Sequence, residues 1–371
     1  MNGSTNIPLQ GLQGLLTSES APLAEEEDLP PQLAPILGVQ PPKIVIGAIL
    51  SLLVLATVIG NVLVFVAVSL RKNLRTVSNM FIMSLSVADF LVGTVVMIPA
   101  MLNEIFDEWL FSKTFCSIWA SFDVMLCSAS ILNVCLISLD RYLVIMRPLR
   151  YNTIMTNRRA IILLLMCWCL SIISSFVPIE TGYHNPDVPS LENLTLYSQR
   201  PKCLFIVSMP FALSVSMVTI FLPIVVAFVL YYRVSKEAKR QSCILGTLIA
   251  PTNVLLGQKV ASKHIREPFT RKATVTLGII VGAYVATWAP FLIFNIVEAV
   301  CRCIHPKLFS ATVWLGYCNS LVNPIIYPLF MRDFRRVYME GLTICCPFIK
   351  TLKRAKTKTT DYIVMQRSVS R

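Results

Sequence analysis

Seven blocks of mostly apolar residues recur along the chain, each about 20–28 residues long, the length of a membrane-spanning helix. They fall at roughly residues 44–70, 79–102, 114–139, 160–179, 205–232, 273–299 and 309–330. In lipid a chain must satisfy its own backbone hydrogen bonds, which leaves helices or closed barrels. No ten-residue alternation of apolar and polar residues recurs, so a β-barrel is disfavoured. The predicted fold class is an all-α integral membrane protein, a bundle of seven transmembrane helices. Composition agrees. Of the 371 residues 55% are hydrophobic and 14% are charged, and the mean hydropathy is +0.67. A soluble chain would carry about a quarter charged residues.

The net charge of +13 suits nucleic acid until its placement is considered. With the N-terminus outside, 27 of the 33 Lys and Arg fall in inner segments, while 11 of the 20 acids fall outside. This is the positive-inside pattern, and it predicts a multi-pass plasma-membrane protein with an extracellular N-terminus and a cytoplasmic C-terminus. The basic excess then meets lipid headgroups and an intracellular partner, and no nucleic acid is expected.

Residues 1–43 are polar, acidic and Pro-rich and are expected to be disordered. Residues 44–330 form the expected bundle, 331–345 a short amphipathic eighth helix, and 346–371 a basic cytoplasmic tail. Asn2 and Asn193 head glycosylation sequons in outer segments. Cys345 and Cys346 are juxtamembrane, where palmitoylation occurs. Cys116, Cys203, Cys301 and Cys303 lie in outer segments, where disulfides form, and a Cys116–Cys203 bridge would pin the second outer loop over the bundle mouth.

The third block is the most informative. Asp123 and Arg141 are 18 residues apart, five helical turns, so they leave the same side of one helix. At ~1.5 Å per residue they stand about 27 Å apart, near the hydrocarbon thickness. A charge inside a span is costly and reads first as functional. Asp123 is the predicted receiver of a cationic ligand, and Arg141, within Asp140-Arg141-Tyr142, is predicted to report it on the other face.

Other spans leave alternatives open. Asp89 is either a structural carboxyl or a cation site. Ser216 and Thr219 either back-bond to their own helix or meet a ligand. Trp288 and Phe291 flank Pro290, a predicted hinge, and form either packing or a pocket wall, with Asn295 one turn outward. In the seventh block Tyr317, Asn319, Ser320 and Asn323-Pro324 are more polar than a structural span needs.

Gly60-Asn61-Val62, the LSVAD around Asp89, Asp140-Arg141-Tyr142, Trp168, Trp288-Ala289-Pro290 and Asn323-Pro324-Ile325-Ile326-Tyr327 occur in order. As an ordered set they resemble the rhodopsin-like (class A) G-protein-coupled receptors over residues 44–345. Asp123 with Trp314 and Tyr317 narrows the resemblance to aminergic receptors, and the FDVMLCSASILNVCLISLDRYL and WLGYCNSLVNPIIYPLFMRDFRR stretches are similar to type-6 serotonin receptors.

The resemblance implies a pocket of Asp123, Val124, Cys127, Ser216, Thr219, Trp288, Phe291, Asn295 and Tyr317 for a small amine, serotonin first. It implies a polar cluster of Asp89, Ser130, Asn319, Ser320 and Asn323 able to hold an allosteric sodium ion. It also implies a switch of Asp140, Arg141, Tyr142, Tyr232, Pro290, Pro324 and Tyr327 that opens a cleft for the stimulatory G protein and raises cyclic AMP, with arrestin and receptor kinases as further partners. Leu292 departs from the pattern, replacing a usual second phenylalanine, and both the third inner loop and the tail are short for type 6. Histamine, octopamine, dopamine and trace amines are the alternative ligands. A transporter would favour an internal repeat, which is absent from the sequence. An enzyme is not expected, because no nucleophile–base pair or phosphate loop stands out.

Overall fold

The computed structural model describes residues 41–183, 203, 208–255, 269–301 and 303–345. The predicted disordered N-terminus, the sequons at Asn2 and Asn193, Cys346 and the tail lie outside the described residues.

Six described helices are long and apolar enough to cross a membrane. They are α1 (Pro41–Leu70), α2 (Val77–Phe106), α3 (Lys113–Met146), α4 (Asn157–Glu180), α5 (Met209–Leu255) and α6 (Phe269–Cys301). The seventh expected span runs as Pro306–Tyr317 and Asn319–Phe330 on either side of Cys318, whose backbone stays helical, and is called α7. A further helix, α8 (Arg332–Cys345), follows at once.

Several helix starts follow from capping chemistry, in which a side-chain oxygen takes a backbone N–H that has no partner within the helix. Thr76 accepts from the Asn79 amide before α2, Ser112 from Phe115 before α3, and Thr156 from Arg159 before α4. In α2 a π turn over Val92–Val96 precedes Pro99. A second π turn, Ser216–Phe221, precedes Pro223 in α5. Proline cannot donate to the i−4 carbonyl, and a wider turn just before it accommodates the lost bond.

α3 is the central column and packs against α2, α4, α5 and α6. Near its inner half, Phe81, Ile131, Val134, Leu277, Tyr284 and Tyr327 share one buried cluster. Towards the other end Val92, Met97, Trp109, Trp119, Leu126 and Tyr317 share a second. The opposite surfaces of α1, α4, α5 and α6 expose large apolar side chains such as Leu52, Met166, Phe228 and Ile293, as a lipid-facing bundle requires. α1 meets α7 closely at Gly60, where a Cβ would stand 2.9 Å from Pro324. Asn61 beside it bonds the Thr57 and Ser320 carbonyls at 2.9 and 3.0 Å, the use expected for a lone amide in a span.

Candidate functional site

The acid in α3 sits where α7 comes closest to it. Asp123 is half-buried. Its Oδ2 accepts from the Tyr317 hydroxyl at 2.9 Å, and its Oδ1 accepts from the Cys127 thiol at 3.4 Å, one turn further along α3. Among the described residues no Lys or Arg pairs with it. Both oxygens are thus held by neutral donors, and the negative charge remains to be matched. Val124 follows Asp123, also half-buried.

Aromatic residues gather on α6 and α7. Trp288 packs edge-on to Phe291 at 5.7 Å between ring centres, and stacks with Tyr284 at 6.1 Å. Trp314 meets Tyr317 edge-on at 5.5 Å. The two span-five hydroxyls divide between the readings left open by the sequence. Thr219 back-bonds to the Val215 carbonyl at 2.7 Å. Ser216 instead accepts from Asn295 Nδ2 at 3.3 Å, which ties α5 to α6 at the height of the aromatic residues. The Cys116–Cys203 bridge is formed and fastens Cys203, which precedes α5, to the start of α3, and Cys301–Cys303 is formed at the end of α6.

Deeper in the bundle Asp89 is fully buried. It accepts from Ser130 at 3.0 Å, Ser320 at 2.9 Å and Asn323 Nδ2 at 2.8 Å, drawing α2, α3 and α7 together. Asn319 is buried beside Ser320 but is not among the side chains bonded to Asp89. The Tyr327 hydroxyl and the Trp288 indole N–H are buried without a protein partner among the described residues.

At the inner end Arg141 pairs with its neighbour Asp140 at 3.2 Å. Asp140 also accepts from the Tyr151 hydroxyl at 2.7 Å, and Tyr151 lies 3.2 Å from Ser78 Oγ. This clasp joins α3 to the second inner loop and to α2. Burial, and then the Asp140 carboxylate, push the Tyr151 phenol up to about 12, so it stays a donor. Tyr142 is half-buried in α3, and Pro290 and Pro324 lie inside α6 and α7.

One assignment needs correction. Tyr232 was expected in the switch, yet it is 61% exposed. The buried face of α5 runs Pro223, Ala227, Tyr231, Val234, Ala238. One residue is about 100° of rotation on a helix, so Tyr232 turns outward while Tyr231 turns in. Tyr231 packs on α6 at Gly278, where a Cβ would lie 2.7 Å from its hydroxyl. Sequence reasoning also missed Tyr151 as the partner of Asp140. Its only sequence signal was an aromatic in a short basic loop.

A family model for the 7 transmembrane receptors of the rhodopsin family matches residues 60–327. The chain belongs to this family. It is therefore a multi-pass membrane receptor, not an enzyme. Among curated relatives, this receptor is 43% identical over 302 residues to 5-hydroxytryptamine receptor 6 of Rattus norvegicus, covering 76% of this chain and 67% of the relative. It is 38% identical over 306 residues to the human histamine H2 receptor, covering 82% of this chain and 80% of the relative. To dopamine receptor 1 of Drosophila melanogaster it is 36% identical over 331 residues, covering 82% of this chain and 64% of the relative.

Proposed function

We propose that this receptor binds a small biogenic amine, serotonin first, at the plasma membrane with its N-terminus outside and α8 at the inner leaflet. One observation carries the reading: Asp123 presents a carboxylate with both oxygens fixed by Tyr317 and Cys127 and no cationic side chain paired to it among the described residues. A protonated amine supplies the missing charge. The similarity to 5-hydroxytryptamine, histamine and dopamine receptors supports an amine and ranks serotonin ahead of histamine and dopamine. The Asn295–Ser216 pair offers a polar edge for a ring hydroxyl, and Val124, Phe291 and Trp288 offer apolar surface for the ring.

The output follows from resemblance to type-6 serotonin receptors: coupling to the stimulatory G protein and a rise in cyclic AMP. Arg141 leaves Asp140, Tyr231 and Tyr327 rearrange, and the inner part of α6 moves away from α3. Asp89 fits a sodium ion, a hard cation that prefers oxygen ligands. Its carboxylate is fully buried, and the adjoining Ser130 and Ser320 hydroxyls can turn to accept. The ion would supply positive charge beside Asp89 and so stabilise the arrangement that holds these residues together.

Cyclic AMP in cells expressing the chain, titrated with serotonin, histamine, dopamine, octopamine and tyramine, tests the reading. A rise led by serotonin supports ligand and coupling together. A fall, or a rise led by another amine, keeps the amine site and overturns the subtype. Silence to every amine, with receptor at the surface, sinks the proposal.

A further inference from the structure

An apolar groove of about 450 Å³ runs along the outside of the bundle between α1 and α7. Leu52, Leu55 and Ile59 form one wall, Leu321 and Ile325 the other, and Tyr338 of α8 closes one end. The Tyr338 hydroxyl is spent on the Gly60 carbonyl at 3.1 Å, so the groove offers little polarity to a ligand along its length.

The α1 wall continues past the groove as an exposed apolar stripe: Leu52, Leu55, Ile59, Val62, Val66 and Leu70. The steps of three and four residues keep it on one helix face. From Leu52 to Leu70 it runs about 27 Å, most of the hydrocarbon thickness. It ends directly at Arg71 and Lys72, both exposed. On α8, Arg335 is exposed one turn before Tyr338, hence on the same side. Arg71 also pairs with Glu340 of α8, which brings the first inner loop and α8 to one rim.

We infer that this groove binds an anionic phospholipid, with an acyl chain along the α1–α7 wall and the headgroup between Lys72 and Arg335. An apolar groove whose α1 wall continues as an exposed apolar face to Lys72, with Arg335 exposed on α8, matches that chemistry at both ends. A second copy of the chain fits less well, because two-fold pairing through this face would bring its own basic rims together. The inference goes beyond the amine reading, and shares with it only the placement of α8 at the inner leaflet.

The test uses the full-length receptor in nanodiscs of phosphatidylcholine carrying trace phosphatidylserine or phosphatidylcholine with a photoactivatable diazirine in the acyl chain. Labelled peptides are mapped by mass spectrometry. The phosphatidylserine probe should label the α1 and α7 walls about tenfold more than the phosphatidylcholine probe. Lys72→Glu with Arg335→Glu should equalise the two. Ala56→Phe, which fills the groove from an exposed position, should remove labelling there by both probes while amine affinity stays intact. Equal labelling by both probes on the unaltered receptor means bulk lipid only and overturns the inference. Covalent dimers through α1 would assign the face to a second copy and overturn it as well. Nanodiscs present the probe at both leaflets, so a failed amine assay leaves this test standing.

Discussion

Tyr317 donates to Asp123 at 2.9 Å and so fastens the outer half of α7 to α3 at the acid itself. A ligand ammonium arriving there meets a carboxylate already held in place, and little side-chain freedom is lost on binding.

Removing the acid should therefore abolish high-affinity amine binding. Asp123→Asn breaks an ion pair in a half-buried site, a loss of about 3–5 kcal/mol, or roughly a hundred- to a few-thousand-fold in affinity. Surface expression should be retained. Saturation binding decides it, and a drop of less than about tenfold would mean that the amine is anchored elsewhere.

Tyr317→Phe removes one bond to a charged acceptor, about 1.5–3 kcal/mol. Part of that is recovered because the freed oxygen can face the ligand. Amine affinity should fall by about tenfold, well short of the Asp123→Asn loss. An unchanged affinity would show that Tyr317 does not position the acid.

The two tyrosines at the inner end of α5 should separate cleanly. Tyr231→Phe should reduce agonist-driven cyclic AMP, because its hydroxyl lies against Gly278 of α6. Tyr232→Phe should leave it unchanged, since that ring faces outward. The opposite pattern in a paired dose–response would restore the original assignment.

Tyr151→Phe should raise ligand-free signalling by freeing Asp140 from one of its two partners. The sign of the pH effect follows from the raised phenol, at about 12 against an ordinary 10. A raised acid contributes fully below its unfolded value and is lost only as pH climbs through the raised one. Basal cyclic AMP in permeabilised membranes should therefore be flat between about pH 6 and 8.5 as far as this clasp is concerned. A basal rise across that window in the parent, absent in Tyr151→Phe, would contradict the phenol's role as a fixed donor.

Amine affinity measured in sodium and in an organic-cation buffer should differ for the parent receptor and coincide for Asp89→Asn. Identical curves for the parent would remove sodium from the account of the Asp89 cluster.

Much of this was legible in the sequence because charge and length in a membrane are strong constraints. Asp123, Asp89 and Arg141 stand out in apolar blocks, and few neighbours can satisfy them. A Cys116–Cys203 bridge was foreseen from the position of the two residues, whereas the Cys301–Cys303 pairing was not drawn from the sequence. What was hidden depends on phase and on local departures from a regular helix. Tyr231 and Tyr232 are adjacent and chemically identical, so only the phase of the buried positions Pro223, Ala227 and Val234 tells the half-buried Tyr231 from the exposed Tyr232. The π turns at Val92–Val96 and Ser216–Phe221 leave no residue signature of their own, and each precedes its proline instead of sitting at it.

The way α7 is held has a thermodynamic consequence. Tyr317 and Ser320 lie on either side of Cys318 in α7, one bonded to Asp123 and the other to Asp89. The two acids thus grip one helix at neighbouring points. If occupants of the two acids favour different placements of that helix, each must weaken the other's binding by the same factor, whichever arrives first.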